Sequence, residues 1–512
     1  PAVELLDKAR SGEITTQQAQ QSLSDLSKFD IRDSYDHDIY QKSFNQQYYL
    51  GIRGGADKMT YAFSVGYDKN KHALKRNGYE RVTLNTSNSF SPIQKLTVKL
   101  GLNFSTNQTF RNNQMPFGTG ISIGGFTHAG IYPYAQFSDS QGRALSVNKD
   151  YRRSYKEQME QRGFKDWQYR PTDELRFADN QTKIYDLLIK TGLEYQVTPF
   201  LKAHLLYQAE RQKISNYEHF NEDTYYTRNL INRYSLLNSD GSISYQIPEN
   251  GGILNVGEYD WLSQNIRGQI SFDKNFQQSH SISAILGSEI RELTTKGYQR
   301  TSYGYEERFG TASMNLDFST FLSTSPGGFA RIPAPDGTVV GRLNRFVSFF
   351  SNLGYVYDDR LSFTLSGRND GTNLFGVNIN QKITPLWSAG AGWTLSREDF
   401  FQSSWLDYLK LRLTYGYNGN VYYGSAYTTG VYRSSYLTGL PVISNLTPPN
   451  PDLQWERIRN INFGIDFETR NGVFSGTIEL YQKSGKDLVE PYPLAHNSGF
   501  RESMINSAST RT

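Results

Sequence analysis

Alternation of apolar and polar residues is the feature that most constrains how this chain can fold. Within residues 409–417 every second residue is Leu or Tyr, and the residues between them are Lys, Arg, Thr and Gly. The same period of two runs through residues 96–104 and 461–468. A period of two places the two sets of side chains on opposite faces of a β-strand. These segments are therefore predicted to be strands with one continuous apolar face and one face that carries polar and charged groups.

The same criterion predicts about fourteen strands along the chain. Their boundaries are expected to be accurate to within several residues, since strand ends carry the weakest sequence signal. The predicted strands start near residues 47, 59, 79, 95, 183, 200, 261, 280, 345, 360, 385, 408, 458 and 473.

The connections between these strands alternate between short and long. The tight ones lie at 56–58, 91–94, 197–199, 275–279, 358–359 and 470–472, and 397–407 is an intermediate case on the tight side. The long ones lie at 68–78, 107–182, 214–260, 294–344, 370–384 and 418–457. Short turns at one end and long loops at the other are typical of an outer-membrane β-barrel. A soluble β-sandwich is the alternative, although sandwiches do not sort their loops by length.

Composition supports an all-β fold and excludes several other classes. The chain contains 36 Tyr, 30 Phe and 44 Gly, which favours strands and turns. It lacks the run of about 20 apolar residues that a membrane-spanning helix needs. A net charge of +4 is too small to indicate a nucleic-acid partner, so none is predicted. With no cysteine, the chain has no disulfide, no thiol nucleophile and no Cys-ligated zinc.

The first 46 residues differ from the rest. Residues 3–9 and 17–26 are predicted to form two short helices around Gly12, with Thr15 and Gln18 at the spacing of a capping box. We therefore predict that residues 1–46 form an extracellular loop with short helices. Residues 47–484 are predicted to form a partial transmembrane barrel with its long extracellular loops, and 485–512 the start of a further extracellular loop.

Two motifs in the C-terminal half carry a resemblance to a known family. Residues 450–456 read NPDLQWE and are similar to an NPxLxWE stretch; we assign structural roles there to Asn450, Pro451, Trp455 and Glu456. Residues 367–376 are similar to an R-x-DGSS-x-FG turn, and we assign structural roles there to Asp370, Gly371 and Phe375. Through these motifs the chain resembles the SusC/RagA-like branch of TonB-dependent outer-membrane transporters of Bacteroidetes.

The resemblance implies an all-β, transmembrane, antiparallel β-barrel of 22 strands, of which the predicted fourteen would be strands two to fifteen. The family's signal peptide, TonB box, plug and closing strand have no counterpart in this sequence. Open sheet edges are not tolerated in lipid, because every backbone donor there needs a partner. The chain is therefore expected to be part of a longer protein.

The resemblance also implies a function. It implies TonB-dependent active import of a nutrient, an oligosaccharide or a peptide, across the bacterial outer membrane. The implied partners are membrane lipid, a SusD-like surface lipoprotein that caps the loops, and the TonB complex, which would act through the missing N-terminal region. No enzymatic activity and no cofactor are implied. The alternatives are a siderophore- or corrinoid-type TonB-dependent receptor, a passive porin and a secreted β-rich adhesin.

Candidate binding residues lie in the longest loop. Aromatic faces beside polar groups suit the capture of an oligosaccharide or a peptide. The candidates for substrate or lid contact are Tyr132, Tyr134, Phe137, Trp167 and Tyr169. The alternative interpretation is that these rings only pack the loop together.

Other polar residues give no sign of a chemical site. The seven histidines are scattered without ligand spacing, so no metal site and no catalytic residue is predicted. The charged residues on the polar strand faces are expected to solvate the barrel wall or contact a plug; these are Lys99, Arg412, Asp466 and Glu468.

Overall fold

A large antiparallel sheet dominates the computed structural model, which describes residues 1–123, 125–128, 130–277, 279–313, 316–333, 339–374, 383–422, 424, 427–435 and 440–512. Within these residues, fifteen strands follow one another along the sheet. They are β1 Phe44–Ala56, β2 Met59–Lys71, β3 Asn77–Ile93, β4 Leu96–Arg111, β5 Ala178–Thr198, β6 Leu201–Phe220, β7 Gly252–Phe276, β8 His280–Glu306, β9 Val339–Tyr357, β10 Leu361–Thr372, β11 Ile383–Thr394, β12 Leu406–Asn420, β13 Glu456–Thr469, β14 Ser475–Pro493 and β15 Glu502–Arg511.

Each strand pairs antiparallel with the next one in the chain, so the sheet is a continuous meander. The fourteen predicted strands are confirmed as β1 to β14. Several are longer than predicted: β7 has 25 residues and β8 has 27. A strand needs only about 9–11 residues to cross a bilayer. The long strands therefore extend well beyond the length that spanning requires, and the long loops begin at these extended ends.

Residues 485–512 differ from the prediction. They were expected to begin a loop, but β14 continues to Pro493 and β15 pairs with it. Two prolines, Pro491 and Pro493, lie in this part of β14, and proline lowers strand propensity because it has no N–H to donate. Pairing with β15 overrides that weak local signal. The extracellular position assigned to these residues, and to residues 1–46, stays a prediction.

The alternation of short and long connections is confirmed except between β2 and β3, where the predicted long connection 68–78 shortens to 72–76. The short connections are 57–58, 94–95, 199–200, 277–279, 358–360, 395–405 and 470–474, and all of them lie at one end of the sheet. Two tight turns use residues with positive φ: Asp358 and Asp359 at 50° and 53°, and Asn471 and Gly472 at 61° and 68°. Such turns match the twist of neighbouring strands. The other end carries the connections 72–76, 112–177, 221–251, 307–338, 373–382, 421–455 and 494–501.

The two faces of the sheet differ as the alternation predicted. On the apolar face, large side chains such as Leu100, Leu413 and Leu480 are exposed. On the polar face, charged residues pair across strands. Arg412 donates to Asp466 at 2.7 Å and to Glu479 at 3.1 Å, and Lys99 donates to Glu194 at 2.9 Å. Of the predicted polar-face residues, Arg412 and Asp466 therefore bind each other, and Lys99 binds Glu194 on a neighbouring strand.

Helices are confined to the N-terminal segment and the long loops. The two predicted helices are confirmed as α1 Ala2–Arg10 and α2 Thr16–Leu26, and Thr15 and Gln18 form the predicted capping box. The other helices are α3 Ile31–Ser34 with a following π-helical turn Tyr35–Ile39, α4 Arg153–Gln161, α5 Pro171–Phe177 and α6 Tyr225–Arg233. In the part of the chain that the structure describes, none of the helices has the length and apolar character needed to cross a membrane.

Shorter elements complete the loop regions. Short strands lie at Ile121–Ile123, Phe126–His128, Ser235–Leu237, Ile243–Tyr245, Thr311–Ser313, Leu322–Ser323, Phe329–Ala330, Thr429–Ser434 and Pro441–Thr447. Single 3₁₀ turns lie at Leu395–Arg397, Arg470–Gly472 and His496–Ser498.

Candidate functional site

Most of the buried apolar side chains among the described residues lie in the N-terminal segment and the loops. One cluster, which we call the loop core, joins the segment before β1, the long loop between β4 and β5, and the start of α6. Loops that merely connected strands would not need such a core, so this layer folds as a unit. Its buried members are Ile31, Tyr35, Ile39, Ile121, Ala135, Phe137, Val147, Met159, Phe164, Trp167, Tyr169, Leu175 and Tyr225.

Hydrogen bonds fasten the N-terminal segment to the long loop. The Ile31 N–H donates to the Pro133 carbonyl at 2.8 Å, and the Ser138 hydroxyl donates to Asp38 Oδ2 at 2.8 Å. Deeper in the layer, Asn113 Nδ2 donates to a main-chain carbonyl of the π-helical turn at 3.1 Å. These contacts join residues 74 to 102 positions apart in sequence and hold the N-terminal segment and the long loop together as one layer.

Three of the five predicted contact residues are part of the loop core. Phe137 and Trp167 are 0% exposed and Tyr169 is 6% exposed. Trp167 stacks on Phe164 at a ring distance of 5.9 Å, and its Nε1 donates to Asn229 Oδ1 at 2.8 Å. Phe137 and Trp167 are buried too deeply to offer a solute any surface in this structure, and their geometry fits the alternative interpretation, internal packing. Tyr169 is also nearly buried, but its ring borders the cavity described below.

The other two, Tyr132 and Tyr134, are half-buried and line a cleft of about 490 Å³ next to α1. Their ring centroids are 4.9 Å apart. The Tyr134 hydroxyl accepts a hydrogen bond from the Ala2 N–H at 3.2 Å. Burial raises the pKa of Tyr132, so this phenol stays neutral and can donate at physiological pH. Direct contact between these two rings and a ligand stays a prediction.

A second cavity lies below the loop core, where the long loop meets the ends of β4, β5 and β6. We call it the Lys149 pocket; its volume is about 260 Å³. The floor includes Asn180 and Phe220, near the loop-side ends of β5 and β6. No local sequence pattern predicts this pocket, because its walls come from distant segments. It is lined by Asn112, Gln114, Met115, Thr119, Gly120, Ile121, Ile131, Lys149, Tyr169, Glu174, Leu175, Ala178, Asn180, Phe220 and Thr224.

Lys149 is the cationic residue of this pocket. Its ammonium nitrogen lies 4.5 Å from the centroid of the Tyr169 ring and 5.2 Å from that of Tyr225. Glu174 lines the same cavity, and its Oε1 accepts the Tyr225 N–H at 2.5 Å. Burial raises the pKa of the Glu174 carboxyl. The pocket therefore combines an ammonium group held over two rings with a carboxyl group bound to the start of α6.

A cluster of charged residues lies beside the loop core, on and next to α4 and α6. Arg228 is buried; it pairs with Asp166 at 2.9 Å and donates to the main-chain carbonyl of Gln168 at 3.2 Å. Lys156 on α4 is 0% exposed, and burial lowers the pKa of its amine to about 8. The negative charge of Glu160 opposes that shift. This cluster orients α4 and α6 and lines neither of the two cavities described above.

The NPDLQWE motif holds the last two strands in place. Asn450 Nδ2 donates to the Met504 carbonyl at 2.7 Å, and Glu456 Oε1 accepts the Val489 N–H at 2.9 Å. Trp455 is buried with Leu453 in a small separate core. Pro451 is exposed in the turn. These contacts explain the motif as a structural clasp between the 421–455 loop and the β14–β15 hairpin.

The second motif lies in a strand where a turn was expected. Asp370 and Gly371 belong to β10, and Asp370 pairs with Arg368 at 2.7 Å on the polar face. Gly371 pairs with Val347 of β9. The register with β9 extends β10 past these residues, which corrects the predicted turn. Phe375 lies outside the described residues.

Metal binding has no structural support in the described ranges, where no group of three or more histidine and carboxylate side chains is placed to hold an ion.

Comparison with known proteins identifies the fold. The sequence model of the family described as "TonB dependent receptor-like, beta-barrel" matches residues 163–512. Among solved structures, the RagAB peptide importer in its closed-closed state has a TM-score of 0.72 at 17% identity. That match covers 93% of this chain and 48% of the other. The two chains therefore share a fold.

Curated relatives give the same family. TonB-dependent receptor P39 of Formosa agariphila is 23% identical over 487 residues, 94% of this chain and 40% of the relative. TonB-dependent receptor SusC of Bacteroides thetaiotaomicron is 22% identical over 501 residues, 92% of this chain and 44% of the relative. The chain thus spans less than half the length of these relatives. Since the family model covers more than half of its residues, this chain belongs to the TonB-dependent receptor-like β-barrel family.

Proposed function

We propose that the full-length protein containing this chain imports a nutrient across the bacterial outer membrane, driven by TonB. The observation that carries this proposal is the sheet itself, with an apolar face, a polar face and all its long loops at one end. An apolar outer face suits lipid and a polar inner face suits a solute path. The relatives named SusC and RagAB support a transporter over an enzyme.

A SusD-like lipoprotein is the proposed partner at the loop end. The loop layer exposes large apolar side chains that solvent alone would not favour: Val3 is 77% exposed, Phe126 75% and Phe117 58%. Exposed apolar groups that cluster on one surface mark interaction sites. A protein lid over the loops would bury them. SusC-like and RagA-like relatives support this class of partner.

The proposed solute is an oligosaccharide or a peptide, captured between lid and loops. The cleft beside Tyr132 and Tyr134 supports this proposal, because it offers two ring faces together with Glu4, Asn148 and Arg152. Aromatic faces with adjacent hydrogen-bonding groups suit either class of solute. The energy for release into the periplasm would come from TonB, acting on an N-terminal segment.

Uptake with and without the TonB-binding segment tests the proposal. Cells that express the full-length protein should take up a candidate oligosaccharide or peptide, and deletion of that segment should reduce uptake to the level of cells without the protein. Surface expression of the deletion variant, measured by antibody labelling of intact cells, is the control. Equal uptake by both forms would mean passive diffusion and would replace the importer by a porin.

Alanine substitution of Tyr132 and Tyr134 tests the cleft. We expect the double variant to weaken solute binding or lipoprotein binding by about tenfold, because stacked rings contribute roughly 0.5–1.5 kcal/mol each. Isothermal titration of purified full-length protein with each ligand gives the measurement. Phe309, which is 65% exposed in another loop, provides a matched control as Phe309→Ala. Unchanged affinity for both ligands in a folded double variant would assign the two tyrosines to packing alone.

A further inference from the structure

The Lys149 pocket contains polar groups that the protein does not use. In the described residues, Lys149 Nζ has no carboxylate within 4.0 Å and donates no hydrogen bond; its neighbours are the faces of Tyr169 and Tyr225. A lysine ammonium has three N–H donors. Ring faces attract the charge but leave those donors unsatisfied. The pocket therefore presents a cation that is free to bind an acceptor.

Asn180 forms part of the floor of the same pocket. Its N–H donates to Asn112 Oδ1 at 2.6 Å, which holds the residue in place. Its side-chain Oδ1 is buried, so it offers a ligand no accessible acceptor. Asn180 therefore closes the floor of the pocket with a neutral side chain.

The other charged groups near the pocket are already bound. Glu174 accepts the Tyr225 N–H at 2.5 Å. Asp150 Oδ2 accepts the Tyr225 O–H at 2.8 Å. Arg228 binds Asp166 and main-chain carbonyls. Lys149 is thus the charged group of this pocket that has donors to spare.

From these contacts we propose that the Lys149 pocket binds a carboxylate group of the solute, with Lys149 Nζ donating to the carboxylate. A volume of about 260 Å³ is below the range of roughly 300–1,000 Å³ for drug-sized ligands, so the pocket holds one residue of a solute. That the carboxylate belongs to an imported solute rests on the proposed function, whereas the chemistry of carboxylate binding by Lys149 does not. The solute class is then acidic: an oligosaccharide with uronic acid units or a peptide with acidic residues.

Two matched pairs of probes test the proposal on the purified full-length protein. The first pair is D-glucuronate and D-glucose; the second is N-acetyl-L-glutamate and N-acetyl-L-glutamine. We expect the anion of at least one pair to bind at least tenfold more tightly than its neutral partner in isothermal titration, since hydrogen bonds to charged groups are the stronger ones. The pair that shows the preference identifies the source of the carboxylate.

Variants connect the preference to the pocket. Lys149→Met should reduce binding of the anion to that of its neutral partner, and Lys149→Arg should keep the preference. Asn180→Asp, which keeps the side-chain shape, should weaken binding of the anion about tenfold or more by repulsion, and it serves if Lys149→Met does not fold. Lys8→Met, at an exposed lysine on α1, is the matched control and should have no effect.

Several results would overturn the inference. No measurable binding of either anion at millimolar concentration, equal binding within both pairs, or an anion preference that survives in Lys149→Met and Asn180→Asp would each do so. TonB-dependent uptake without any anion preference would leave the proposed function intact and remove only this site. Anion binding at Lys149 together with TonB-independent uptake would support this site and overturn the proposed function.

Discussion

Replacement of Trp167 by alanine should destabilise the loop core by about 3–5 kcal/mol, the usual cost of deleting a large buried aromatic side chain. Trp167 is 0% exposed. Its ring contacts Tyr151, Tyr155 and Phe164 at centroid distances of 5.2, 5.9 and 5.9 Å. The alanine variant would also leave the side-chain Oδ1 of Asn229 without its indole N–H donor. Alanine would leave most of the volume of the indole ring empty inside the loop core.

Hydrogen–deuterium exchange of the purified protein measures this effect, since exchange reports local opening free energies. Amides of α4 and the surrounding loop should exchange about 100-fold or more faster in Trp167→Ala, while amides in β1 to β4 keep their rates. Phe126→Ala is the control in the same loop, because Phe126 is 75% exposed. Trp167→Phe should lie between them, with packing partly kept and the hydrogen bond lost. Unchanged exchange in Trp167→Ala would show that the loop layer has no cooperative core.

The loop core also matters for the two cavities. Tyr169 and Leu175 belong to the loop core and line the Lys149 pocket, and Tyr132 packs against the same core from the other side. Phe137 and Trp167 therefore help to position the candidate binding groups without touching a solute themselves. Tyr169 differs from them, because its ring also lines the Lys149 pocket.

Strands could be predicted from sequence because alternation is a local property. Each of β1 to β14 carries enough of the period-two pattern to identify it without knowledge of its neighbours. The prediction failed for β15 and the end of β14, where Pro491 and Pro493 interrupt the pattern. There the strand depends on pairing between residues 484–493 and 502–511, and on Asn450 binding the Met504 carbonyl. Contacts between distant segments leave no local signal.

The candidate site shows the same limit. Aromatic density identified the right loop, but sequence alone could not separate buried rings from surface rings within it. Tyr169 and Tyr132 have the same side chain and lie in the same loop, yet one is 6% exposed and the other lines a cleft. No sequence pattern marks Lys149 as a candidate binding residue. Its role depends on Tyr225 and Asn180, which reach the pocket from other segments of the chain.

The substitution Phe463→Arg should cost about 2–4 kcal/mol of folding free energy in a bilayer if the site lies near the midplane. Phe463 lies on the apolar face of β13, between Leu413 of β12 and Leu480 of β14. Those neighbours are 53% and 67% exposed, as expected for side chains that face lipid. An arginine there would carry its charge into hydrocarbon with no acid beside it in that row. Ile465→Arg should behave in the same way.

Asn462→Arg is the matched control, one residue away on the polar face, where Thr414 and Tyr481 are its cross-strand neighbours. We expect it to cost far less, because polar and charged groups including Asp466 already line that face. Equilibrium folding of the full-length protein into liposomes, followed in denaturant, gives both free energies. Equal costs for positions 462 and 463 would contradict a lipid-facing side. A difference of the expected size would show that the period of two in this sequence separates lipid from the solute path, since the same charged side chain is introduced at adjacent positions of one strand.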